Sequence, residues 1–335
     1  MEDGTRAADE IAALRASRQY ETASRFSPDT LPRTFDLFAR LDPQFAAIWL
    51  RYSAGLLARP QLDVRSRLLV LTGQYTMKGY ERGLRNVVAA AIREDVDLKE
   101  VLEAILQCYV YGGEPTVVTA AEIFVDAVDK AGKLDEVAAR GVLAAEADEG
   151  RSLETEREHW TAEDRADPRL PYLLDRYGWK GISNGLRLRP GQHVNLISSF
   201  DAFDADWCDL WLEMCFHGMY GRTVLDEKTR LLCVVGNCVA VGDTYQYPRH
   251  MLGALRAGAT PRELLEVVLQ SIHVVGHPMV LGIVVNDLMR LLDEAGRLAE
   301  VVDDPAKVEG LRRVVAARIA GRGTVADLRT ADGRA

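Results

Sequence analysis

Apolar residues recur at intervals of three and four, as at Phe45, Ile48, Trp49 and Tyr52 and again at Trp207, Leu210, Trp211 and Met214. This is the period of a helix face, and strand-like alternation is nearly absent. Start signals fall where the periodic stretches begin. Asp97-Leu-Lys-Glu100 and Thr260-Pro-Arg-Glu263 read as capping boxes, the second with proline at the first helical position, and Gly258 suits the stop of a preceding helix. Breaks fall at Pro60 and Thr223, at Gly79 and Gly242, and at Gly113 and Gly276. The pattern predicts an all-α chain.

These breaks come in pairs because the sequence repeats itself at an offset of 163 residues. Leu62 to Gly79 reads LDVRSRLLVLTGQYTMKG and Leu225 to Gly242 reads LDEKTRLLCVVGNCVAVG; KEVLEAILQ at Lys99 returns as RELLEVVLQ at Arg262. The register holds without a gap from the Gly55/Gly218 pair to the Pro115/Pro278 pair, which predicts a duplicated module of about five helices rather than a solenoid. The expected division is an arm at 1–32, a first repeat at 33–131, a connecting segment at 132–199, a second repeat at 200–298, and a C-terminal helix and tail at 299–335. The Pro- and aromatic-containing DPRLPYLLDRYGWKG suggests that the connection is an ordered strap, and the tail should hold one helix from Pro305 before fraying at Gly321.

With 335 residues, 48% of them hydrophobic, each half can bury a core. A net charge of -9 sets the chain against a polyanion-binding surface, so nucleic acid is not an expected partner. The five cysteines lack a secreted-type spacing and the N-terminus MEDGTRAADE lacks a signal-peptide pattern, from which a reducing cytoplasm is expected. The longest apolar run, Leu231 to Val241, is interrupted by Gly236 and Asn237 and is too short for a bilayer, so no membrane role is expected.

Gln246-Tyr-Pro-Arg-His250, followed by an Ala/Leu-rich stretch ending in Ala-Gly-Ala-Thr260, resembles the carboxymuconolactone decarboxylase family, as does Arg59-Pro-Gln-Leu-Asp63 with Arg67 behind it. The likeness covers both repeats. It implies two fused AhpD-like helical modules and a homo-oligomer, a trimer or a dimer of tandem modules. It also implies one of two chemistries, a cofactor-free decarboxylase or a thiol-dependent alkylhydroperoxidase. The peroxidase branch carries Cys-x-x-Cys-x-x-x-His; here the two cysteine positions hold Asp243 and Gln246, and a glutamate that follows the arginine equivalent to Arg230 is replaced by Leu231. Cys233 and Cys238 lie ~140° apart around one helix and read as core. Gln246 is what the decarboxylase branch carries.

On that resemblance His250 is the candidate acid, since an imidazole can supply a proton to an enolate-like carbanion. Pro248 places it in a first helical turn, where the dipole disfavours its charge and favours an anion; a His that merely caps or packs there is the alternative. His217, His273 and His277 join it in the second copy, where the first has Ala54, Val110 and Glu114; His250 itself matches Val87. The asymmetry points to chemistry in the second copy and a degenerate first one. His277, ahead of Pro278, is the second catalytic candidate and His217 the third, although His217 and His273 read equally as satisfied polar core. His273-x-x-x-His277 has one-turn spacing, but Gly276 and Pro278 intervene, and no metal or cofactor is expected. Arg222 and Arg230 match Arg59 and Arg67 and should hold the fold, which leaves Arg249, opposite Asn86, to anchor a substrate carboxylate. Gln246, Asp243, His273 and Tyr220 complete the candidate substrate-binding set. Trp207, Trp211, Phe216 and Tyr220 read first as core and second as pocket lining. The expected function is a cofactor-independent decarboxylase or lyase acting on a small carboxylated or lactone-like metabolite, and isomerisation or hydrolysis would use the same groups. The alternatives are a thiol-dependent alkylhydroperoxidase-like redox protein and a non-catalytic oligomeric scaffold or binding protein.

Overall fold

The computed structural model describes residues 2–139, 150–283 and 287–320, and every regular element among them is helical. The first half comprises α1 (Glu2–Arg15), α2 (Arg18–Phe26), α3 (Leu31–Leu41), α4 (Pro43–Leu57), α5 (Val64–Lys78), α6 (Glu81–Arg93), α7 (Leu98–Leu106), α8 (Tyr109–Lys130) and α9 (Leu134–Ala139). A strap follows: α10 (Leu153–His159), α11 (Ala162–Ala166) and α12 (Leu170–Tyr177). The second half runs α13 (Trp179–Leu188), α14 (His193–Phe203), α15 (Ala205–Leu212), a π-helix (Glu213–Met219), α16 (Glu227–Val241), α17 (Tyr247–Arg256), α18 (Pro261–Gln270), α19 (Ile272–Val275), α20 (His277–Ile283) and α21 (Met289–Glu294), and α22 (Val308–Ala320) closes it. None of the described helices is long and apolar enough to cross a membrane. The fraying expected at Gly321 lies outside the described residues.

Element bounds follow the 163-residue offset further than the sequence likeness does. Val64–Lys78 falls end for end on Glu227–Val241, and Arg18–Phe26 and Leu31–Leu41 fall within a few residues of Trp179–Leu188 and His193–Phe203. Helices therefore cross two of the expected boundaries, 32/33 inside α3 and 199/200 inside α14. Ala23 and Phe26 of the expected arm are buried, because amphipathic α2 lays them against α4 and α6. In the same way Trp179–Leu188, within the expected connecting segment, is helix α13 and packs against the π-helix and α17 of the second half.

α5 and α16 pack against each other at the centre of the molecule and are buried almost all round, with Arg67, Thr72, Gln74 and Asn237 among the enclosed residues. Asp63 and Asp226 cap them, each accepting from a backbone N–H three residues on at 2.9 Å, and left-handed Gly79 and Gly242 end them. The helices touch at equivalent glycines. A Cβ on Gly73 would lie 2.2 Å from Asn237 Oδ1, and one on Gly236 would lie 2.7 Å from Val70 Cγ1. Alanine gains about 1 kcal/mol over glycine in helix propensity, whereas overpacking a tight contact costs about 1–3 kcal/mol. The steric term should win, so Gly73→Ala and Gly236→Ala are expected to lower the thermal midpoint by several degrees; a raised midpoint in either would mean that the two helices can part at little cost.

Buried charge crosses this seam reciprocally. Glu266 of α18 accepts from Arg59 at 2.7 Å and Arg67 at 2.9 Å, while Glu103 of α7 accepts from Arg222 at 2.9 Å and Arg230 at 2.7 Å. Each glutamate thus grips the arginines of the other half. Of the two expected capping boxes, Thr260 and Glu263 form theirs. The other is incomplete: Asp97 caps Lys99 N, but Glu100 is drawn to Arg65 at 2.6 Å.

Candidate functional site

The turn after α13 sets the charge of the site. Pro190 disfavours a helical Arg189, which leaves the helix at φ -137°, ψ 61°, and Gly191 follows in a left-handed conformation. Asp164 of α11 fixes this turn by accepting from Gly191 N at 2.9 Å and 3.1 Å, and Thr161 Oγ1 donates to the same carboxylate at 2.7 Å. The Arg189 side chain is only 8% exposed and donates to Gln246 Oε1. No carboxylate among the described residues pairs with it.

Gln246 immediately precedes α17 without a side-chain cap bond, and Asp243 Oδ1 accepts from Tyr245 N and Gln246 N, both at 3.0 Å, so this oxygen is engaged in building the helix start. One turn later His250 is buried at 3% exposure. Its Nε2 lies 2.9 Å from the hydroxyl of Tyr111, which comes from α8 of the first half, and the Tyr111 hydroxyl is hydrogen-bonded to that of Tyr220. His250 Nδ1 has no partner among the described residues. Burial first, then Arg189 and Arg249, pull the His250 pKa down to about 3. The imidazole is therefore neutral at pH 7. Burial also pushes both tyrosines well above their usual range.

These groups share a cavity of about 370 Å³. Its polar end is Arg189, Asp243, Gln246, His250, Tyr111, Tyr220 and Tyr245; Leu188, Leu196, Val110, Phe200, Trp211 and Phe216 line the rest. The aromatic rings form a continuous wall: Phe200 meets Trp211 edge-on at 4.7 Å, Trp211 meets Phe216 at 4.9 Å, and Phe216 meets Tyr220 at 5.6 Å. The π-helix carries Cys215 and Phe216 into this lining. The equivalent stretch of α4 is regular α-helix, and local π geometry is frequent at functional sites.

Of the residues expected from sequence, the cavity brings together His250, Gln246, Asp243 and Tyr220. It does not gather the others. Arg249, one position from His250, turns outward to stack on Tyr245, 3.7 Å from the ring centroid, and donates to Gln192 and Tyr245 O. His277 is exposed and bonds Tyr52 OH at 2.6 Å. His273 is half-buried with Nε2 unpartnered, and burial is the main cause that lowers its pKa to about 4. His217 packs beside Gly181. Among the described residues no three His, Cys, Asp or Glu side chains are grouped as metal ligands. Arg189 and Tyr111 are the functional candidates that the sequence reading missed.

The first half has none of this chemistry at matching positions: Phe26 stands at Arg189, Leu57 at Tyr220, Gly83 at Gln246 and Val87 at His250. Cys108, Cys208, Cys215, Cys233 and Cys238 are free and buried, and burial pushes the Cys233 thiol up to about 12 and Cys215 to about 11. Residues 205–281, from α15 into α20, match the family model described as "Carboxymuconolactone decarboxylase family". The search of curated proteins returned no match. Tyr111 and Arg189 both lie outside the matched stretch.

Proposed function

We propose that this chain, whose residues 205–281 form a carboxymuconolactone decarboxylase family segment, performs cofactor-independent, lyase-type acid–base chemistry on a small carboxylated or lactone-like metabolite. The observation that carries the reading is the hydrogen-bonded series His250–Tyr111–Tyr220 facing the same cavity as the buried Arg189. Arg189, rather than Arg249, anchors the substrate carboxylate. Loss of carbon dioxide or a proton from a carbon beside a carbonyl leaves an electron pair shared with that carbonyl oxygen. Tyrosine hydroxyls are donors for that oxygen, and neutral His250 accepts or returns a proton through Tyr111. The two rings are already in contact, so no rearrangement precedes the transfer.

The same reading takes the chain as two repeated units that begin at α2 and α13, the first unit structural and the second chemical. Exposed Leu41, Phe203, Leu210 and Leu281 are the kind of surface that a homo-oligomer would cover. Deeply buried, high-pKa thiols disfavour the thiolate that a peroxidase needs, which argues against the redox alternative.

The test is turnover of small keto acids and lactones, following carbon dioxide release and solvent-deuterium incorporation. His250→Ala and Tyr111→Phe should each lower kcat/KM by about 10²–10⁴-fold with the helical circular dichroism unchanged. A His250→Ala protein that turns over at the wild-type rate would remove this mechanism.

A further inference from the structure

Resting on the assignment of the second-half cavity as the substrate site, we infer that its ligand is an amphipathic monocarboxylate: one acid group held by Arg189 and an apolar, ring-sized body laid along the Phe200–Trp211–Phe216 wall. The charge inventory of the lining leads there. Arg189 is its one cation, nine-tenths buried, bonded to the neutral Gln246 and paired with no carboxylate among the described residues. A guanidinium withdrawn from water in this way is costly until an anion meets it, and it offers a carboxylate a two-point hydrogen-bonded fit.

A second carboxylate has no place to go. The other charged lining residue is Asp243, an anion whose Oδ1 already accepts from the backbone at the start of α17, and the rest of the lining carries no cation. Arg249 is not among the lining residues: it stacks on Tyr245 and donates to Gln192 and Tyr245 O. A polycarboxylate would therefore bury a charge against Asp243 or against hydrocarbon, at a cost of several kcal/mol. A ring-sized apolar body, by contrast, would meet Trp211 and Phe216 in the edge-on and offset contacts that aromatic pairs favour, with Leu188 and Val110 completing the enclosure. At the end of this wall Tyr220 meets Phe216 and begins the hydroxyl series to His250.

Calorimetric titration of the full chain with three probes separates the possibilities: 3-phenylpropanoate, the uncharged 3-phenylpropanol, and propane-1,2,3-tricarboxylate. The acid should bind at least 30-fold more tightly than either of the others. Arg189→Leu should abolish the preference for acid over alcohol, while Trp211→Ala should weaken the acid about tenfold. The titration reads binding without turnover, so failure of the catalytic mechanism and failure of this specificity are distinguished. Tighter binding of the tricarboxylate, an acid affinity unmoved by Arg189→Leu, or no binding of the acid would each overturn the inference.

Discussion

Lowering the pH from 7 to 5 is expected to cost the folded chain about 4–6 kcal/mol of stability, about 2 kcal/mol from each of the buried histidines His193 and His250 and up to as much from half-buried His273. His250 and His193 are both held near a pKa of about 3, in each case chiefly by burial, with Arg189 and Arg249 adding to it at His250 and Arg189 adding to it at His193. His193 is fully buried behind the aromatic wall, 4.5 Å from the Phe216 ring. In the unfolded chain both would titrate near the usual value of about 6.5, so between about pH 3 and 6.5 the unfolded state binds more protons than the folded one. Stability therefore rises with pH through that window, is fully present above it, and is lost as the pH falls. Paired carboxylates such as Glu156 and Asp226, whose pKa values are lowered, withdraw their contribution only at lower pH. Urea unfolding at pH 7, 6 and 5 measures the slope. His193→Gln and His250→Gln, whatever their stability at pH 7, should each flatten it by about 2 kcal/mol; equal stability of the parent chain at pH 7 and pH 5 would contradict the burial of neutral imidazoles.

The same two histidines mark how far the sequence could be read. Helices, their breaks at Gly113, a left-handed kink inside α8, and at Gly276, and the doubled arginines Arg59/Arg222 and Arg67/Arg230 were legible because helical period and offset are local properties that survive in the pattern. His250, Gln246, Asp243 and Tyr220 were legible because they sit within or near one recognisable stretch. Arg249 was misplaced for a geometric reason: one step along a helix rotates a side chain by about 100°, so the neighbour of an inward-facing His250 faces out. Tyr111 was invisible because it arrives from the other half of the chain. Arg189 did carry a signal, since it stands opposite Phe26 as His250 stands opposite Val87. That signal was lost because the register was followed in residue identities, which fade before α14, and not in helix bounds, which continue through α13.

Removing the carboxylate of Glu266 is expected to destabilise the chain by about 3–5 kcal/mol, and Glu103→Gln should cost a similar amount, because each leaves a buried guanidinium without its counter-ion. Arg67 and Glu266 are both 1% exposed, and Arg230 and Glu103 are 3% and 1% exposed, so water cannot replace the lost partner. Arg59 and Arg222 are less enclosed and can turn toward solvent, which makes the inner arginine of each pair the source of the penalty. The two nodes differ in one respect: Arg67 Nη1 donates to Gln270 at 3.2 Å, whereas Arg230 Nη1 has no partner among the described residues. If the penalty is desolvated charge, deleting both members should restore most of what deleting one removes. Arg67→Met/Glu266→Met should thus lie within about 1–2 kcal/mol of the parent chain while Glu266→Gln alone does not. Surface pairs supply the contrast, since Arg85→Ala at the exposed Arg85–Asp126 contact should shift stability by less than about 1 kcal/mol. A double variant no more stable than the single one would mean that the pair contributes specific geometry to the seam between the halves, and that its worth is not the cancelling of two buried charges.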